Sequence, residues 1–173
     1  MIKNFDRTEL IFKSNSIHIR RDEYKTSNKL IINKDYVDHP GSVLIIGLRR
    51  GKILFVKQWR QPVANFTLEL PCGTLNSGEE TMLAADREFR EETGFSAKKY
   101  ESIGRFFVAP GYSSEITEYF VAKDLFESPL TPDVDEEIEL LEFSLEEAFN
   151  LINNNEIIDQ GTISALNIYK SIL

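Results

Sequence analysis

Gly73-Thr74-Leu75-Asn76-Ser77-Gly78-Glu79-Glu80-Thr81-Met82-Leu83-Ala84-Ala85-Asp86-Arg87-Glu88-Phe89-Arg90-Glu91-Glu92-Thr93-Gly94-Phe95 is the stretch on which the reading of this chain turns. From residue 78 to 93 it is rich in alanine, leucine, glutamate and arginine and holds no proline, so a helix is expected there, with Gly94 placed to close it in the left-handed conformation. Ser77 and Glu80 have the spacing of a capping box, and Glu80 or Thr81 is an equally good start. Met82, Ala85 and Phe89 form one apolar stripe expected to face the core. Glu88, Glu91 and Glu92 recur at i, i+3 and i+4 on a neighbouring face. Three like charges there cost stability unless something compensates them. Arg87, four residues before Glu91, supplies part of the compensation. A divalent cation supplies far more, because Mg2+ and Mn2+ prefer carboxylate oxygens and keep water positions open for phosphates.

Outward from the helix the pattern changes to strands. Val43-Leu44-Ile45-Ile46 and Ile53-Leu54-Phe55-Val56 flank Arg49-Arg50-Gly51-Lys52, which predicts a hairpin. Thr67 to Leu70 is a further strand, stopped by Pro71. Residues 103–108 and 118–122 read as strands around a loop at Ala109-Pro110-Gly111-Tyr112, residues 138–143 as another, and residues 145–153 and 161–171 as two closing helices. Strands, helix, strands, helices imply an α/β fold in which helices cover both faces of a mixed sheet, an α/β/α sandwich. Residues 1–38 carry two short strands, 16–20 and 30–32, broken at Thr26-Ser27-Asn28; they form a small antiparallel β segment too polar to bury a core of its own. The domain boundary is therefore placed at residues 38 and 39.

At 173 residues and 42% hydrophobic content the chain can build one domain with a sizeable core plus a small appendage. A net charge of -8 argues against a nucleic-acid partner, which needs a basic surface. It also means that an anionic substrate needs cations to approach. No apolar run reaches the ~18 residues of a membrane span, and the first residues lack the apolar stretch of a signal peptide. Cys72 is the only cysteine, so no intrachain disulfide forms, and a cytoplasmic location is expected.

Gly73, five residues, Glu79, seven residues, then Arg87-Glu88-Phe89-Arg90-Glu91-Glu92-Thr93-Gly94-Phe95 matches the Nudix box at every fixed position, with Phe89 and Phe95 at the two bulky apolar places. Gln58-Trp59-Arg60 and Glu69-Leu70-Pro71-Cys72-Gly73 resemble the run before the box in the ADP-ribose and nucleotide-sugar pyrophosphatase branch of that family. Ala109-Pro110-Gly111-Tyr112-Ser113-Ser114-Glu115, with Pro110 fifteen residues past Phe95, is similar to its later loop, and Asp135-Glu136-Glu137-Ile138-Glu139 to its late acidic segment. The resemblance covers roughly residues 40–173. It departs from the branch at Cys72 and Ala109, where alanine and serine are usual.

The resemblance implies a Nudix sandwich that hydrolyses the pyrophosphate bond of a nucleoside diphosphate derivative, with ADP-ribose giving AMP and ribose 5-phosphate. It assigns Glu88, Glu91, Glu92 and the carbonyl of Cys72 as ligands of Mg2+ or Mn2+, and Arg87 as the residue that orients the glutamates. A base from the late loop follows, with Glu136 as the candidate and Asp135, Glu137 and Glu139 as competitors. Trp59 and Arg60 are expected to hold the nucleotide, by stacking and by a guanidinium fork. Glu69 and Glu115 are expected to meet ribose hydroxyls or an outer metal, and Pro110 to mark the substrate class. Glu79 is expected to brace the loop–helix junction, while Gly73 and Gly78 serve turns or close approach. The branch also implies a homodimer formed by exchange of the N-terminal strands. GDP-mannose and other nucleotide sugars are the alternative substrates, and a non-catalytic nucleotide-binding sensor is the alternative of another class. His18 and His39 match no motif and read as surface or turn residues.

Overall fold

The computed structural model describes residues 6–14, 17–131 and 137–173. Two compact units are present, Met1–Gly41 with Phe107–Ile116, and Ser42–Phe106 with Thr117–Leu173.

The first unit holds an antiparallel sheet of β1 (Arg7–Lys13), β2 (His18–Lys25) and β3 (Ile31–Asp38) in that order. Its register is fixed by polar pairs facing each other across the strands: Thr8 donates to Asp22 at 2.8 Å, and Arg21 forks onto Asp35 at 2.6 and 2.7 Å. Cross-strand pairs of this kind contribute about 0.2–1 kcal/mol each. Leu10, Ile11, Phe12, Ile17, Leu30 and Ile31 stay exposed. The segment 107–116, which the sequence reading assigns to the second domain, folds with these strands through Val37, whose N–H donates to the Tyr112 carbonyl and whose carbonyl accepts from Ser114 N.

The second unit is built on a seven-stranded sheet. β4 (Ser42–Arg49), β5 (Lys52–Arg60), β6 (Asn65–Glu69), β7 (Cys72–Thr74), β8 (Phe95–Phe107), β9 (Ile116–Glu127) and β10 (Ile138–Phe143) give the order β10-β5-β4-β9-β8, with β6 on β5 and β7 on β4. β4 and β9 are parallel, so the sheet is mixed. The continuous apolar run of β4 arises because both its faces are covered. Val43 and Ile45, with Leu54, Phe120 and Ala122, pack against Ala84, Ala85 and Phe89 of α1 (Thr81–Thr93). Leu44 and Ile46, with Ile53, Phe55, Tyr119 and Val121, pack on the opposite side against Ala148 of α2 (Leu145–Asn153) and Ala165 and Leu166 of α3 (Gln160–Ser171). The expected sandwich is therefore what forms. α2 opens with a full capping box, Ser144 with Glu147, and α3 with Asp159 accepting from Thr162 N.

Helix α1 departs from its expected detail in two ways. Its N-cap is Glu80 and makes no side-chain cap bond, so Ser77 and Glu80 form no capping box; Gly78, at φ 77°, turns the chain before the helix begins. Met82 is half exposed, and the buried stripe is Ala84, Ala85 and Phe89. Two small residues let the helix approach the sheet, and Phe89 sets how it sits. A Cβ on Gly47 of β4 would stand 2.4 Å from the Phe89 ring, so the ring lies directly on the glycine.

Candidate active site

The site is made by a parting of two strands. β4 and β5 pair only beside their hairpin, Leu48 with Ile53 and Arg49 with Lys52, and then diverge. β6 and β7 fill the gap: β6 runs along β5, the chain changes partner at Pro71, and β7 continues along β4. Proline suits this crossing because it has no N–H to satisfy. Its carbonyl accepts from Ile45 N at 2.8 Å, and the preceding N–H, of Leu70, donates to the buried Thr162 hydroxyl of α3 at 2.8 Å. Cys72 and Gly73 are thereby pinned inside the sheet, beside α1.

The turn between β7 and α1 is held by Glu79 and Arg87. Glu79 accepts from Asn76 N at 2.8 Å, and Arg87 forks onto it through Nε and Nη2, both at 2.9 Å. Nη2 also donates to the Thr74 carbonyl at 3.1 Å, and Nη1 donates to Glu88 at 2.7 Å and to Glu91 at 3.0 Å. One guanidinium thus holds three carboxylates and the loop backbone. Its hydrogen bonds bring the Glu79 carboxyl down to about 2, and the glutamates in turn raise the Arg87 pKa. The Glu79 brace is where the sequence reading expects it.

Gly73 and Gly78 do different work. Gly78 supplies a positive φ with open space around it. At Gly73 a Cβ would lie 1.9 Å from Glu88 Cδ and 2.2 Å from each carboxylate oxygen, so the Glu88 carboxylate occupies the place of the missing side chain. Glu92 is buried, at 7% exposure, and its Oε2 accepts from Cys72 N at 3.0 Å. Glu88 and Glu92 therefore both meet β7, and Arg87 holds Glu91 beside Glu88. Among the described residues no three of the Asp, Glu, His and Cys side chains are gathered as a ready metal cage; Arg87 draws on Glu88 and Glu91 while the backbone holds Glu92. The donors are nonetheless those a hard divalent cation takes, three carboxylates against the single charge of Arg87, and the Gly73 cradle lets backbone and carboxylate come together.

Cys72 bridges this ridge to a second polar group. Arg60 forks onto Glu69, Nε to Oε1 at 2.9 Å and Nη2 to Oε2 at 2.5 Å, and Nη2 lies 3.5 Å from Cys72 Sγ. Burial would raise the Glu69 pKa, but the Arg60 fork and the hydroxyl of Thr67, at 2.5 Å, outweigh it and hold it below the ordinary value. The Arg60 pKa is correspondingly raised. Burial, reinforced by Glu92 and Glu69, pushes the Cys72 thiol well up, so it is a neutral side chain. The Arg60 fork, expected on a phosphate, is engaged with Glu69 in this structure. Trp59 is on the other face of β5, 45% exposed, edge-on to Phe66 at 5.3 Å and donating to Gln61 at 3.0 Å. Thr67 and Thr162 escaped the sequence reading. Thr67 is signalled by its spacing of two from Glu69 on one strand; Thr162, distant in sequence, has no such signal.

Pro110 and Glu115 belong to the first unit. Residues 109–113 form a tight turn closed by Tyr112 N and Ser113 N on the Ala109 carbonyl. His39 N donates to Ser114 Oγ at 2.9 Å, and its Nδ1 accepts from Gly41 N at 3.1 Å. Nδ1 is thus an acceptor, and its 3.9 Å approach to Glu115 is not a hydrogen bond. Asp135 and Glu136 lie outside the described residues. Of the competing carboxylates, Glu137 is exposed and Glu139 pairs with Lys57 at 3.3 Å.

An α/β/α sandwich with an arginine-clamped glutamate ridge against a glycine cradle defines a class of hydrolases that work on phosphate-linked substrates with divalent metal ions. The chain belongs to the Nudix family: the NUDIX domain model matches residues 38–165, and the protein is an enzyme of that hydrolase type. It is 36% identical over 161 residues to the ADP-ribose pyrophosphatase of Bacillus subtilis (strain 168), covering 91% of this chain and 87% of that protein. It is 34% identical over 163 residues to the methanol dehydrogenase activator of Bacillus methanolicus, covering 92% and 88%. A solved structure of an ADP compounds hydrolase superposes with a TM-score of 0.87 over 100% of this chain and 95% of that one, at 20% identity, and so supports the fold. No helix among the described residues is long and apolar enough to cross a membrane.

Proposed function

We propose that this enzyme hydrolyses ADP-ribose to AMP and ribose 5-phosphate. The observation that carries the reading is the Glu88 carboxylate seated in the space left by Gly73, on a ridge with Glu91 and Glu92, because only a bare backbone permits that approach. The likeness to an ADP-ribose pyrophosphatase over most of both chains supports the choice of substrate.

Glu88, Glu91, Glu92 and the carbonyl of Cys72 are the residues that would hold Mg2+ or Mn2+. When bound, the ions neutralise the diphosphate and lower the pKa of water. Arg87 positions: through Glu79 it fixes the loop to the helix, and through Nη1 it holds Glu88 and Glu91 side by side. Water bonds to one phosphorus, the bridging P–O bond breaks, and the bridging oxygen leaves with the other phosphate. Glu136 takes the proton lost by the water. Arg60, paired with Glu69, is the candidate nucleotide-binding group on the α1 face of β5. The protein works as a cytoplasmic homodimer through the exposed apolar side chains of the β1–β3 segment.

The test is kcat/KM with Mg2+ on ADP-ribose, GDP-mannose, UDP-glucose, NADH and diadenosine polyphosphates, for the wild type and for Glu92→Gln. ADP-ribose is expected to lead, and the variant, folded by circular dichroism, to lose at least about 100-fold. Unchanged turnover in Glu92→Gln removes the ridge from the mechanism.

A further inference from the structure

Leu54, Val56, Gln58 and Arg60 alternate along one face of β5. The face is that of α1, because Leu54 packs with Ala84, Ala85 and Phe89; at its far end Arg60 forks onto Glu69. Gln58 stands between these two groups, opposite Thr67 of β6 and Ile138 of β10. It is 5% exposed, and its Nε2 is fully buried with no hydrogen-bond partner among the described residues. The acceptor one pair along on β6, Glu69, is taken by Arg60 and Thr67. A buried donor left without an acceptor destabilises the fold, whereas a methionine or leucine of similar volume at this position would carry no such cost. The terminal torsion of glutamine is soft, so the amide turns toward an incoming acceptor without strain. What the position offers is a neutral donor beside the paired Arg60 and Glu69. An anionic oxygen is the partner that gains most from it, and a neutral amide supplies it without competing for the glutamates as a cation would.

Resting on the hydrolase reading above, we propose that Gln58 is a substrate-binding residue whose amide donates to an oxygen of the diphosphate in a nucleoside diphosphate ligand. The orphaned donor of the free enzyme is then a site held ready for that oxygen. The test compares wild type with Gln58→Met in two measurements. Thermal unfolding without ligand is expected to show the variant as stable as the wild type or higher by about 2–4 °C. Titration with ADP and Mg2+ is expected to show binding weakened about 10- to 100-fold, with kcat/KM for ADP-ribose falling in proportion. A clear drop in melting temperature would mean that the amide has a partner within the fold and would overturn the proposal. So would unchanged affinity for ADP, or a wild type that does not bind ADP. A wild type that binds ADP but leaves ADP-ribose intact would refute the substrate assignment alone, and the ADP comparison would still decide the role of Gln58.

Discussion

Gly73→Ala isolates the contact on which the site is built. The added Cβ would stand 1.9 Å from Glu88 Cδ and 2.2 Å from both of its oxygens, whereas carbon contacts settle at about 3.5–4.0 Å. β7 is fixed by pairing to β4 on one side, so the backbone cannot retreat and the Glu88 carboxylate must swing away. That movement breaks its bond to Arg87 Nη1 at 2.7 Å and takes an oxygen donor off the ridge. The stability cost is at most about 1–3 kcal/mol, because a flexible side chain gives way rather than the core. The activity cost is larger: residues that merely orient metal ligands cost about 10–100-fold, and displacing Glu88, a ligand on the reading proposed above, is expected to cost at least about 100-fold in kcat/KM. Steady-state hydrolysis of ADP-ribose across a Mg2+ titration, beside thermal unfolding, reads both. Gly78→Ala is the control. Its φ of 77° imposes strain of about 1–2 kcal/mol, but nothing lies within 4 Å of the new Cβ, so turnover should stay near wild type. A Gly73→Ala enzyme with wild-type kcat/KM and Mg2+ dependence would refute the reasoning.

Two further outcomes follow from the same geometry. Glu79 titrates near 2 when folded against an ordinary 4.5. Its contribution is therefore complete above pH 4.5 and lost as pH falls toward 2; in the metal-free protein, Glu79→Gln should be less stable than wild type at pH 7, with the gap closing over that interval in acid-unfolding curves. Gly47→Ala should destabilise by about 1–3 kcal/mol in urea, because its Cβ meets the Phe89 ring at 2.4 Å, and adding Phe89→Leu should return part of the loss through non-additivity.

Much of this architecture was legible because it is local. The residue bounds of β10 and α2 agree with the sequence reading, since each is a short periodic run closed by turn or capping residues. The β4–β5 hairpin was announced by Arg50-Gly51, which adopt φ of 50° and 78°. β1 was not foreseen: all seven of its residues are exposed, so no buried face imposes a period of two on its sequence. β8 was foreseen only in its second half, because Phe95-Ser96-Ala97-Lys98-Lys99 lacks a continuous apolar run. At the site, the spacing of Glu88, Glu91 and Glu92 is a helix property and could be read directly. The pairing of Arg60 with Glu69 could not, for it depends on β6 folding back along β5, which sets Gln58 against Thr67 and Val56 against Glu69. The same pairing hides Gln58, whose isolation is a property of neighbours and not of sequence.

The way Arg87 spends its donors explains how one side chain can be both rivet and release. Nε and Nη2 are committed to Glu79 and the Thr74 carbonyl, contacts that tie the loop to the helix. Nη1 alone reaches Glu88 and Glu91. One positive charge faces the carboxylates of Glu79, Glu88 and Glu91, so the cluster stays net negative. If Glu88 and Glu91 hold a divalent cation as proposed, the Nη1 contacts are those it would compete with, while Nε and Nη2 keep the brace to Glu79 and the Thr74 carbonyl. Substituting the arginine therefore affects two separable quantities, the loop anchor and the resting place of the glutamates. Substituting Glu79 touches the first and leaves the second to Nη1.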